Sequence, residues 1–188
     1  MSPAPEIILS LNIVGTLCAI GLITWIYVLP RLRTRPRDDG LKLLVVPHAL
    51  RFVGLSFLVE GVVSPALPSE FSTPAAWGDF GAAILAIAVL AALARRWSIT
   101  VPLVWVFSLW GTIDLLYANV NAVRLHIDPG EFGAAYYIPA MWVPLLLVSH
   151  SLIFWLLLRS RQTAHRLGND DASGALEEEP VHHRVPGP

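Results

Sequence analysis

Residues 7–30 read IILSLNIVGTLCAIGLITWIYVLP, and no charged side chain interrupts them. A helix needs about 20 predominantly apolar residues to cross a bilayer, so this stretch alone sets the class of the chain. Four more apolar stretches follow, at about 43–63, 77–94, 101–123 and 137–158. The fold expected is an all-α integral membrane bundle of five transmembrane helices over residues 1–160, with 161–188 as a disordered cytoplasmic tail. Composition agrees: 55% of the residues are hydrophobic and 14% charged, where a soluble domain carries about 25% charged residues.

Basic residues orient the bundle. Arg31, Arg33, Arg35, Arg37 and Lys42 follow the first stretch, Arg95 and Arg96 the third, and Arg159, Arg161 and Arg166 the fifth. Lys and Arg accumulate in cytoplasmic loops. With five spans, all three clusters fall on one side, which puts the N-terminus outside and the C-terminus in the cytoplasm. No basic residue precedes the first stretch, so it reads as an uncleaved anchor and not as a signal peptide. The single cysteine, Cys18, excludes an internal disulfide and reads as a small packing residue. The net charge of −1 suggests no nucleic-acid partner.

Function must lie in the polar residues inside the spans. A charge at membrane depth is costly and faces the bundle interior, paired with something. The candidates are Arg51 and Glu60 in the second stretch, Asp79 in the third and Asp114 in the fourth. Phe107, Trp110, Gly111, Asp114, Tyr117 and Asn121 recur at helical spacing and form one stripe. The stripe suggests a carboxylate–aromatic pocket built from Asp114, Trp110, Tyr117, Glu60, Asp79 and Arg51. Its ligand would be a small lipophilic or cationic molecule, or a proton. Asp114 paired with Arg51 or with a Trp N–H, as a lock between helices, is the competing structural role. Asp79 falls in the first turn of a helix starting at 77, where the dipole favours an anion.

Two alternatives remain. His48 and His150 lie on different spans at similar depth, which suggests axial ligation of one b-type haem in an electron-transfer protein. A non-catalytic subunit of a larger membrane complex, or a homo-oligomer, would use small-residue faces such as Gly78, Ala82 and Ala86. The loop His126-x-Asp128-x-x-Glu131 has metal-ligand chemistry but reads first as a solvated turn. His182 and His183 form a lone pair in the tail, without a closed ligand set. No GxSxG, HExxH or P-loop pattern occurs, so binding is favoured over catalysis.

His48-x-x-Arg51-x-x-Gly54, Pro74-Ala75-x-x-Gly78-Asp79 and Trp110-Gly111-x-x-Asp114-Leu115 together resemble a group of small bacterial multi-spanning membrane proteins without an assigned function. The resemblance covers roughly spans two to four. It implies a bacterial inner-membrane location with surrounding lipid, and no activity.

Overall fold

The computed structural model describes residues 4–159. The acidic tail with His182 and His183 lies outside the described residues, as do Arg161 and Arg166. Among the described residues, five helices are long and apolar enough to cross a membrane: α1 (Pro5–Thr34), α2 (Arg37–Leu58), α3 (Ser69–Arg95), α4 (Thr100–Arg124) and α5 (Ile138–Arg159). A short 3-10 segment, Pro129–Tyr136, joins α4 to α5. No strand is present among the described residues.

The helices outrun the apolar stretches at their polar ends. α2 starts at Arg37, because Asp38 and Asp39 favour its first turn through the helix dipole. Lys42 Nζ then contacts Asp39 at 3.0 Å. α3 starts at Ser69, with Pro74 inside it. Asp79 is therefore mid-helix, and the first-turn role expected for it is corrected.

Prolines shape α1 and α5 in the same way. Each removes a backbone donor inside a helix. Pro30 is preceded by a π turn over Thr24–Val28, and Pro144 by one over Ile138–Trp142. The disturbance at Pro144 thus takes the form of a widened turn, where an extra residue absorbs the lost hydrogen bond.

α3 is the central helix and packs chiefly on α2 and α4. Small residues predominate on its buried face: Ser72, Ala75, Ala76, Ala82, Ala83, Ala86 and Ala92, beside Phe71, Asp79, Val89 and Leu93. Small side chains let backbones approach closely. α1 is peripheral, and no residue of Pro5–Ile23 is buried. A polar tie to the rest of the bundle is Asn12 Nδ2 donating to Tyr136 Oη at 2.8 Å. Cys18 is exposed on this helix, so it is not a packing residue.

Two apolar cores divide the bundle along its length. One gathers Leu41, Leu44, Val89, Leu93, Phe107 and Ile153 toward the end carrying the basic turns. The other gathers Phe57, Phe71, Ala75, Phe132 and Ile138 toward the opposite end. Arg51, Asp79 and Asp114 lie between them.

The second half of α2 places those charges. Val46–Leu58 is a 3-10 helix of 13 residues, far longer than the usual three or four. At three residues per turn, side chains at i and i+3 eclipse. His48, Arg51, Gly54 and Phe57 therefore stand in one file, and they are the buried residues of the segment. In an α-helix the same spacing would drift about 60° per step, and His48 and Phe57 would face opposite ways. Pro47 fits this geometry, since the 3-10 pattern pairs the Leu44 carbonyl with residue 47, which has no N–H. Ser149 Oγ on α5 donates to that carbonyl instead, at 2.7 Å.

Candidate functional site

Arg51 is completely buried. Its Nε donates to Asp79 Oδ1 at 2.6 Å, and its Nη2 donates to Asp114 Oδ2 at 2.5 Å. Nη1 points at the Gly111 carbonyl at 3.5 Å. One guanidinium from α2 thereby ties a carboxylate from α3 to one from α4. Charge-assisted bonds of this kind are the short, strong ones. The formal charges are +1 and −2, so the cluster is short of one positive charge.

Three glycines admit these side chains between the helices. A Cβ on Gly54 of α2 would overlap the Asp79 carboxylate, and one on Gly78 of α3 would overlap that of Asp114. A Cβ on Gly111 of α4 would come within 2.5 Å of His150 Nε2 and 3.0 Å of Arg51 Nη1. Each of α2, α3 and α4 thus gives up a side chain where a polar group from a neighbouring helix rests. Gly78 and Gly111 invite a reading as sites of close backbone approach; here they make room for charge.

His48 and His150 do come together. Their ring centroids are 4.2 Å apart, with 52° between the planes. Phe107 meets His48 at 5.1 Å and His150 at 5.2 Å. No ring nitrogen of either histidine has a hydrogen-bond partner among the described residues. Shared haem ligation would put the iron and its macrocycle between the two rings. Rings in direct contact, with Phe107 packed against both, leave no plane for it, so the pair does not fit the haem that the sequence offers as an alternative. Protein produced with haem available should show no Soret band. A Soret band that disappears in His48→Ala would contradict this geometry.

The aromatic stripe of α4 splits in two. Phe107, Gly111 and Asn121 are buried, whereas Trp110 and Tyr117 are about half exposed. At roughly 100° per residue the buried arc centres on Gly111, and positions 110 and 117 fall on its flank. Trp110 and Tyr117 are therefore not an interior wall. With Pro74, Trp77, Gly78 and Ile113 they line a lateral groove of about 600 Å³ between α3 and α4 that ends on Asp114. Trp110 Nε1 donates to the Gly78 carbonyl at 3.3 Å, which fixes the indole across the groove.

On its inner side Asp114 meets a second space. A cavity of about 50 Å³ touches both Asp79 and Asp114, with room for a few waters at roughly 10–15 Å³ each. Phe57, Phe71 and Phe132 form its wall and pack edge to face. Phe132 closes it from the loop side. The Ala134 N–H donates to Val62 O at 2.8 Å, and the Ser64 N–H to Glu131 O at 2.9 Å. These bonds hold the two end loops together.

Glu60 stands outside the cluster. α2 ends at Leu58, and Glu60 is exposed in the following turn, so Asp79 has Arg51 as its partner instead. Asp128 Oδ1 accepts from the Gly130 N–H at 2.7 Å, which makes the His126–Glu131 loop a capped turn. No group of three metal-ligating side chains occurs among the described residues.

A family model described as a domain of unknown function (DUF8737) matches residues 8–158. No curated protein and no solved structure matches the chain.

Proposed function

We propose that this chain, which belongs to the DUF8737 family, is a multi-pass membrane protein binding or transporting a small lipophilic or cationic ligand, or a proton. The centre of binding is the cluster Arg51–Asp79–Asp114. The observation that carries this is the charge count: a fully buried Arg51 is shared by two carboxylates. A charge left uncompensated in an ion cluster removed from water is costly. A proton or an organic cation at the carboxylates supplies the missing charge.

The location is the bacterial inner membrane. The N-terminus is outside and the basic end faces the cytoplasm. Two observations support one basic end. Arg37, Lys42 and Arg96 line a common cleft, and Gly40 lies against Leu32 of α1 and Leu156 of α5. Excess positive charge on one side marks the cytoplasm.

A membrane-soluble carbodiimide tests the assignment, since it reaches carboxyl groups from the apolar phase. Peptide mapping is expected to find the adduct on Asp114, and organic cations should slow its formation. Labelling confined to Asp38 and Asp39 in the basic turn would overturn the reading.

A further inference from the structure

We infer that the lateral groove between α3 and α4 is a binding site for an alkyl or aryl amine that enters sideways from the bilayer and places its ammonium on Asp114. This rests on the cation-binding reading above and names its ligand class and its route.

Three observations carry it. Apart from the Tyr117 hydroxyl and the Trp N–H groups the groove lining is apolar, and its one acidic side chain, Asp114, stands at the inner end. Asp114 gives Oδ2 to Arg51 and lays Oδ1 against Gly78, a groove residue. A cation there meets a carboxylate oxygen that the Arg51 Nη2 bond does not use. The second observation is the aromatic rim. Trp77, Trp110 and Tyr117 surround the mouth, and the faces of Trp and Tyr attract an ammonium within about 6 Å, most strongly when water is excluded. The third is size. The groove's volume of about 600 Å³ lies in the range of roughly 300–1,000 Å³ usual for small-molecule sites, whereas the inner cavity of about 50 Å³ takes nothing larger than a few waters. An amine with a hydrophobic body therefore fits the groove and not the cavity.

Entry from the bilayer follows from exposure. Trp77, Trp110, Ile113 and Tyr117 are each half exposed or more on the outer surface of the bundle, on helices long and apolar enough to cross a membrane. The polar approach is closed by Phe132, which is buried beneath the joined end loops. A neutral amine dissolved in lipid reaches Asp114 without crossing that plug, and it becomes charged by taking the proton that neutralises the cluster, which leaves Asp114 as the carboxylate beneath the ammonium.

The test uses the full chain in lipid nanodiscs with three probes: N,N-dimethyldodecylamine, dodecanol and methylammonium. Binding is read by displacement of a fluorescent amine. Ile113→Trp narrows the groove mouth without touching the charge cluster. In parallel, the infrared band of a protonated carboxyl is followed in the wild type, Ile113→Trp and Asp114→Asn. The long-chain amine is expected to bind at least tenfold tighter than either other probe. Its affinity should fall at least tenfold in Ile113→Trp, with the carboxyl band of that variant unchanged. Equal affinity in the wild type and Ile113→Trp would overturn the groove, as would methylammonium binding as tightly as the long-chain amine. If no amine binds while the carboxyl band still vanishes in Asp114→Asn, the groove inference fails and the proton reading stands. If that band is absent as well, both fail.

Discussion

Arg51→Leu is expected to destabilise the folded protein by about 3–5 kcal/mol, the usual consequence of removing one partner from a buried ion cluster. Among the described residues, Arg51 is the counter-charge that the cluster holds against Asp79 and Asp114. Its loss would leave two facing carboxylates in an apolar bundle. The companion variant discriminates between a lost contact and an uncompensated charge. Replacing Arg51 by Leu together with Asp79→Asn and Asp114→Asn removes all three charges at once, and it should recover most of the loss. Well-packed neutral replacements of buried ion clusters are often neutral or stabilising. The measurement is the midpoint of unfolding in a fixed detergent. If the triple variant were as unstable as Arg51→Leu, size rather than charge would be the cause.

Gly54→Ala should also be severe, at about 1–3 kcal/mol, because overpacking a filled interior forces its neighbours to move. The neighbour here is the Asp79 carboxylate, itself fixed by Arg51. The chain supplies its own control. A Cβ on Gly15 or Gly21 of α1 would meet nothing within 4 Å. Alanine there should be neutral, or should stabilise by roughly 0.5–1 kcal/mol through backbone entropy. Equal effects at positions 15 and 54 would mean that helix propensity, and not the carboxylate, decides the outcome.

The five helices are legible in the sequence because about 20 apolar residues in a row admit few other folds. Their ends are not. Apolarity stops at Leu43 on the N-terminal side of α2, yet a helix continues wherever its dipole and local ion pairs support it, here back to Arg37. The same displacement in α3 decides how Asp79 reads. Counted from Trp77 it resembles a first-turn anion; counted from Ser69 it is an interior charge that needs Arg51.

The pairing of Asp114 with Arg51 is among the sequence alternatives, as a lock between helices. The contribution of Asp79 to the same guanidinium is not. A signal for it exists. His48, Arg51, Gly54 and Phe57 repeat with a period of three, which matches a 3-10 helix and no α-helical face. Only that geometry lines up all four. Trp110 and Tyr117 mislead for a related reason. Spacings of three and four select a broad stripe, and its flank is exposed although its centre is buried. Glu60 reads as a member of the pocket because its run of apolar neighbours hides the end of α2 at Leu58.

The most direct measurement is an infrared pH titration of the protein in lipid vesicles, following the carbonyl band of a protonated carboxyl in the wild type, Asp79→Asn, Asp114→Asn and Glu60→Gln. With one guanidinium and two carboxylates, one proton neutralises the wild-type cluster. Either Asp→Asn change leaves one carboxylate against Arg51, already balanced. At neutral pH the band is therefore expected in the wild type and in Glu60→Gln, and it should be lost there in both aspartate variants. A band that persists in both, or that is absent from the wild type throughout the pH range of the folded protein, would contradict a charge-deficient centre at Arg51.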